Sequence, residues 1–225
     1  MEILEKSKKL DNAVSIKIGQ ITLEGNISVP KGAGSLVIFA HGSGSSRLSP
    51  RNRFVAQELN KNGIATLLFD LLTPEEEDLD LQTAHLRFDI ALLAKRLVRT
   101  TDWVLKNPKL EGLKIGYFGA STGGAAALVA AADRPKAVKA VVSRGGRPDL
   151  AEQRLVDVKC PTLLIVGGLD DVVIELNKKA LWYLKSEKAL VIIPGATHLF
   201  EEKGKLEEVA HYASDWFLKY LEKET

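Results

Sequence analysis

The chain has 225 residues, a net charge of +2, 45% hydrophobic residues and 27% charged residues. That length suits one α/β domain with a substantial core, and the near-neutral charge argues against a nucleic-acid partner. The one cysteine excludes an internal disulfide. Residues 1–6 lack the apolar stretch of a signal peptide and no segment approaches a membrane span, so a cytoplasmic protein with no membrane partner is expected.

In chain order, residues 14–18 and 21–29 read as two short strands of an antiparallel hairpin, joined at Gly19-Gln20 and set at a sheet edge. Residues 30–34 are a turn-rich break. The unbroken apolar run 36–40 predicts a strand covered on both faces, residues 53–62 a helix stopped by Gly63, and residues 64–69 another buried strand. Residues 73–80 are acidic and read as a solvated loop. Leu86, Ile90, Leu93, Leu97 and Val104 fall at helical spacing and predict one long helix. Strands follow at 113–118, 140–143, 162–166 and 189–193, with helices at 125–131 and 176–184. In a final helix Leu206, Val209, Ala213, Trp216 and Tyr220 are placed on one face. Strands alternating with helices predict a doubly wound, mostly parallel sheet of about eight strands, with ligands at the carboxyl ends of the strands. No repeat or linker divides residues 1–225.

The chemistry concentrates at those strand ends. Ser121 lies in Gly119-Ala120-Ser121-Thr122-Gly123, at a strand-to-helix junction. A serine with glycine two residues to either side is the nucleophile-elbow pattern, in which a sharp turn lifts the hydroxyl clear of the sheet. The competing reading is a serine that merely caps the helix. Of the four histidines, His198 alone lies downstream of Ser121 in a strand-end loop, which suits a general base. An orienting carboxylate is expected from Asp170, after the turn Gly167-Gly168-Leu169, with its neighbour Asp171 as the alternative; the order Ser, acid, His suits the elbow. Two backbone N–H groups are expected to bind the developing oxyanion: that of Thr122, and that of Ser43 or, second, Gly44, in His41-Gly42-Ser43-Gly44-Ser45-Ser46. His41 is read as a brace for this loop. One cysteine and four scattered histidines offer no metal-ligand spacing, and no P-loop ending or GxGxxG is present, so no metal or cofactor is expected.

Ser121, Asp170, His198 and the His41-Gly42 loop together resemble an α/β-hydrolase over nearly the whole chain. The small size, and the stretch His41 to Arg47 continuing to Ser49-Pro50-Arg51-Asn52, resemble the dienelactone-hydrolase-like branch. Dienelactone hydrolases proper carry cysteine at the nucleophile position, whereas this chain has Ser121. The resemblance therefore implies a serine carboxylesterase acting on a small ester through an acyl-enzyme. A thioester or small-peptide hydrolase, or a dienelactone-hydrolase-like activity, is the alternative, and a non-catalytic binding protein on the same scaffold is a further one. Residues 144–158 are too few for a helical cap, so an open site for short acyl chains is expected. Gly44 and Arg144 are candidate substrate contacts. Arg144 belongs to an arginine group with Arg47, Arg51, Arg53 and Arg147, which either meets a substrate carboxylate or pairs with Asp149, Asp70 or Glu175. Monomer and small homo-oligomer both remain open.

Overall fold

Five strands buried almost end to end set the architecture. The computed structural model describes residues 12–221, so the reading of residues 1–6 lies outside it. Eight strands form one sheet: β1 (Asn12–Ile18), β2 (Ile21–Ser28), β3 (Ser35–Ala40), β4 (Ala65–Phe69), β5 (Lys114–Ala120), β6 (Val138–Arg144), β7 (Thr162–Gly167) and β8 (Lys188–Ile193). Their order is β1-β2-β4-β3-β5-β6-β7-β8; the β1-β2 and β2-β4 pairs are antiparallel and the rest parallel. The expected hairpin and its place at the sheet edge are both present.

Helices cover both faces: α1 (Pro50–Lys61), α2 (Pro74–Thr83), α3 (Ile90–Leu105), α4 (Thr122–Asp133), α5 (Asp171–Tyr183) and α6 (Lys205–Leu221). The pleat sends alternate side chains to opposite layers. Leu36, Ile38, Ile115 and Tyr117 pack with α3 and α4, while Val37, Phe39 and Phe118 pack with α1 and α6. The rings of Phe39 and Phe118 lie 4.9 Å apart across β3 and β5. Parallel strands covered on both sides need these continuous apolar runs.

Four local expectations are corrected. The acidic segment read as a loop is α2. Thr73 and Glu76 close a capping box, with Thr73 Oγ1 accepting from the Glu76 N–H at 3.3 Å and Glu76 Oε2 from the Thr73 N–H at 2.9 Å. Pro74 occupies the first helical turn and three glutamates face the positive end of the helix dipole. Leu86 is not part of α3: it lies in a short 3₁₀ turn, Leu86–Phe88, and α3 starts anew at Ile90 behind the cap Asp89, whose carboxylate accepts from the Leu92 N–H at 2.9 Å. Helix α5 begins at Asp171, five residues before the predicted start. In α6 the buried face is Val209, Ala210, Ala213, Ser214, Phe217 and Leu221; Trp216 sits at its margin, its ring centroid 4.7 Å from that of Tyr220 and tilted 59° to it. Between β6 and β7 the chain forms two short 3₁₀ pieces within Pro148–Asp157, broken by a kink at Glu152 and packed against α4 and α5, and no separate cap domain stands over the sheet among the described residues.

Candidate active site

The pentapeptide around Ser121 folds as the junction of β5 and α4. Ser121 has φ 51° and ψ −122°, a region that side-chain-bearing residues rarely occupy. Three backbone bonds hold it there. Its N–H donates to the Arg144 carbonyl at 3.2 Å, and its carbonyl accepts from Gly124 at 3.0 Å and Arg147 at 3.1 Å. The flanking glycines answer to space. A Cβ on Gly123 would stand 2.2 Å from the Ala40 carbonyl oxygen, where β3 ends, and one on Gly119 would stand 2.5 Å from the Gly123 carbonyl oxygen. Neither neighbour is a flexible side chain. Gly123→Ala is therefore expected to destabilise the fold by about 3 kcal/mol or more, read as a lowered midpoint in urea at unchanged slope. A midpoint equal to that of the parent would show that the elbow tolerates a Cβ.

Ser121 stands at the N-cap position of α4, yet its side chain makes no capping bond. Asp170 stands at the N-cap position of α5, and its side chain does not cap either. Elsewhere in the chain Ser49, Thr73 and Asp89 cap their helices in the ordinary way. Among the α-helices with an identified N-cap, these two alone go without a side-chain cap, and both are residues singled out for chemistry, which disfavours the reading of Ser121 as a cap. The Asp170 carboxylate instead accepts from His198 Nδ1 at 2.6 Å. That bond leaves the other ring nitrogen, Nε2, unprotonated in the neutral ring. His198 itself lies over Gly145: a Cβ there would come within 3.5 Å of both Nδ1 and Cε1 of the ring. Gly145 follows Arg144, the residue whose carbonyl holds the Ser121 N–H, so Ser121, His198 and Asp170 gather at the carboxyl ends of β5, β6 and β7. Asp171 is exposed on the first turn of α5.

The loop after β3 closes the other side. The position of a Cβ on Gly42 lies 3.0 Å from the Ser121 Cβ and 3.2 Å from the Ala120 carbonyl oxygen, so the loop after β3 passes against the serine turn. Thr122 is the first residue of α4, where helix geometry leaves the N–H without an intrahelical acceptor. Gly44 adopts φ 65° and closes the turn against Arg87 Nη1, 3.5 Å from where its Cβ would stand. His41 acts as the brace. Its Nε2 accepts from the Leu71 N–H at 3.1 Å, so Nδ1 carries the proton and donates to the Gly42 carbonyl at 3.0 Å. Burial holds its pKa below the ordinary histidine value. Because the folded value is the lower one, the contribution of neutral His41 to stability is present above the ordinary value near 6.5 and is lost as pH falls through it toward the folded value. His41→Phe is expected to reduce kcat about a hundredfold, the order of one lost oxyanion donor, and to flatten the fall of melting temperature on acidification from pH 7 to 5. An unchanged kcat would detach His41 from the loop's function.

The arginines divide. Arg47 is tied to Asp70 and Asn26, and Arg147 pairs with Asp149 through two bonds of 2.8 and 2.9 Å. Pairing thus accounts for these two. Arg51 reaches Glu201 at 2.8 Å. Among the described residues Arg144 meets no carboxylate: it is 6% exposed, donates to Asn52 Oδ1 at a long 3.4 Å, and lies 5.8 Å from the Phe200 ring centroid. Burial, aided by nearby Arg51, pushes its pKa down to about 10. Sequence reasoning passed over Asp80, which is buried and holds Arg87 at 2.6 Å, and so fixes the wall of the cavity beside Ser43 and Gly44. The capping box before it was the available signal. Among the described residues no group of three or more His, Cys, Asp or Glu is placed to hold a metal ion, and no helix is long and apolar enough to cross a membrane.

An eight-stranded, mostly parallel sheet with a strained serine at the end of β5 defines a hydrolase of the α/β serine hydrolase type. Residues 24–222 match the model of the dienelactone hydrolase family, and the chain belongs to that family. It is 63% identical to a protein from Anabaena variabilis whose crystal structure is described as a dienelactone hydrolase, with a TM-score of 0.93 over 94% of this chain and 98% of that one. It is 55% identical over 211 residues to a Mycobacterium tuberculosis protein that bears the provisional name phosphoribosyl transferase; the match covers 94% of this chain but 47% of that protein. The same fold recurs in a Xanthomonas campestris α/β serine hydrolase described as lacking a lid, at 18% identity and a TM-score of 0.74, over 96% of this chain and 97% of that one.

Proposed function

We propose that the chain is a serine carboxylesterase that hydrolyses short-chain esters through an acyl-enzyme. One observation carries the reading: the 2.6 Å bond from His198 Nδ1 to Asp170, made by an N-cap aspartate that leaves its own helix uncapped. In this reading Ser121 Oγ attacks the ester carbonyl while His198 Nε2 takes its proton. The oxyanion accepts from the Ser43 and Thr122 N–H groups. Collapse breaks the bond to the alcohol, which leaves with the proton from His198. A water molecule, deprotonated by the same ring, then attacks the acyl-enzyme, and the acid departs as Ser121 regains its proton. Asp170 holds the ring in the tautomer that leaves Nε2 free and stabilises the imidazolium.

Short acyl groups suit the space available. Between β6 and β7 the described residues carry no cap domain that would lengthen an acyl channel, and the cavity on the far side of the His41–Ser45 loop is small and walled by Leu71, Leu72 and Leu81. A dienelactone, itself an internal ester, is a second substrate class, favoured by the 63% identity to the cyanobacterial protein of that name. The phosphoribosyl transferase name belongs to a chain of which this one spans 47%, and the esterase reading concerns the shared span alone.

The test is hydrolysis of matched acetyl oxygen esters, thioesters and anilides, alongside a dienelactone. Oxygen esters turned over at least about tenfold faster than the other acetyl substrates, with an initial burst of alcohol equal to the enzyme, support the assignment. Preference for the thioester or the lactone would move the substrate class. No turnover of any would remove the catalytic reading.

A further inference from the structure

The buried face of α5 is apolar at Val173, Ile174 and Ala180, but one polar side chain, Asn177, lies among them with 0% exposure. Its amide nitrogen donates twice: to the Val173 carbonyl one turn back at 2.8 Å, and to the Gly146 carbonyl at 3.0 Å. Both partners are carbonyls, which fixes the end of the amide that carries the protons. The amide oxygen is buried without a hydrogen-bond partner among the described residues. A buried acceptor left unmet costs at least as much as one neutral hydrogen bond contributes, and the Val173 carbonyl already takes a bond from within its helix. The arrangement therefore adds little to stability. What it secures is the position of Gly146.

Gly146 belongs to the turn on which Ser121 and His198 both rest. The Arg144 carbonyl accepts from the Ser121 N–H at 3.2 Å, and the Arg147 N–H donates to the Ser121 carbonyl at 3.1 Å, so the strained serine is gripped from both sides by this turn. Between them Gly145 underlies His198: a Cβ on it would stand 3.1 Å from the His198 carbonyl oxygen and 3.5 Å from Nδ1. The turn has no side chain of its own with which to anchor its middle. Gly145 stands at φ 51°, and a Cβ on Gly146 would collide with Ser143 Oγ. Adjacent glycines lose much backbone freedom when ordered, so their place is set by what binds them from outside. Ile165 does this for Gly145, whose N–H reaches the Ile165 carbonyl at 2.7 Å, and Asn177 does it for Gly146.

The helix that supplies this tie also carries Asp170 at its N-cap, about two turns before Asn177. We propose that Asn177 is a positioning residue, which fixes the helix of the orienting acid to the Ser121 turn through the Gly146 carbonyl. One helix then sets Asp170 against His198 and, through Asn177, the turn against both His198 and Ser121. The effect on turnover rests on the esterase reading; the effect on the His198–Asp170 bond does not. Asn177→Ala and Asn177→Leu separate the tie from the packing, because leucine keeps roughly the volume of asparagine and neither side chain donates to Gly146. On p-nitrophenyl acetate both are expected to lower kcat by about tenfold to a hundredfold, with KM changed less than about twofold, as misplaced reacting groups in a folded site require. Urea unfolding at the parent's slope shows that each variant folds. Should Asn177→Leu fail to fold, Asn177→Ala and the measurement below keep the test open.

The second measurement needs no turnover. It is the downfield proton resonance of His198 Nδ1 in its bond to Asp170, identified by its loss in Asp170→Asn. In both Asn177 variants this line is expected to move upfield and broaden, because the floor under the ring has loosened. Parent kcat in folded Asn177→Leu overturns the proposal. So does a lowered Tm in either variant with kcat and the resonance both unmoved, since that is a purely structural role. If the parent hydrolyses no ester, the resonance alone decides. An unmoved line in the folded variants overturns the positioning role, whereas a shifted one upholds it and only the esterase reading falls.

Discussion

Ser121→Ala is expected to lower kcat for p-nitrophenyl acetate and butyrate by at least about a thousandfold and to abolish the initial burst of p-nitrophenolate. The protein itself is expected to be as stable as the parent. Alanine and serine both carry a Cβ at φ 51°, so the strain of the turn is the same in each. The serine hydroxyl caps nothing, so its removal leaves no helix N–H newly orphaned. The backbone bonds to Arg144, Gly124 and Arg147 that pin the turn do not involve the side chain. Loss of activity with an unchanged melting curve would therefore place the nucleophile at Ser121 and nowhere else in the chain. A variant that kept its burst would put the acyl group on another residue and overturn the assignment.

What was legible in the sequence follows from how local each signal is. Runs such as residues 36–40 and 162–166 are apolar at every position because both faces of a central parallel strand are covered, and that pattern needs no partner to be recognised. The Gly-x-Ser-x-Gly turn is equally local: its glycines are dictated by backbone atoms within the turn and at the end of β3. Helix α2 was missed because its sequence has no apolar stripe, although its Thr73-to-Glu76 capping box was present to be read. The turn of the α6 face from Trp216 to Phe217 follows from the residues buried beneath it: Val209, Ala213 and Phe217 repeat at four-residue steps over Phe118 and the neighbouring strands. The arginines were the least legible. Whether Arg147, in the turn after β6, finds Asp149, or Arg144, at the end of β6, finds Asn52 and the Phe200 ring, depends on where each side chain points after the chain has folded.

Asp170→Asn is the sharper test of the proposed machinery, because activity and stability are expected to part. Asparagine keeps the shape of the side chain but not its charge, and its amide can present N–H to His198 Nδ1, favouring the tautomer with the proton on the wrong nitrogen. A fall in kcat of about 10³ to 10⁴ is expected. The same residue stands at the N-cap of α5, where its carboxylate forgoes capping in order to meet His198. Asparagine is among the best N-cap residues, and once released from the charge-assisted bond it can turn to the free N–H groups of α5. Melting temperature is therefore expected to hold or rise slightly, by the equivalent of up to about 1 kcal/mol, while activity collapses. Asp171→Asn provides the contrast. That residue is exposed on the first turn of α5, and its replacement is expected to change kcat less than about twofold. If Asp171→Asn were the variant that lost activity, the orienting acid would be reassigned by one residue. If Asp170→Asn lost stability together with activity, the bond to His198 would be holding the fold rather than serving the reaction.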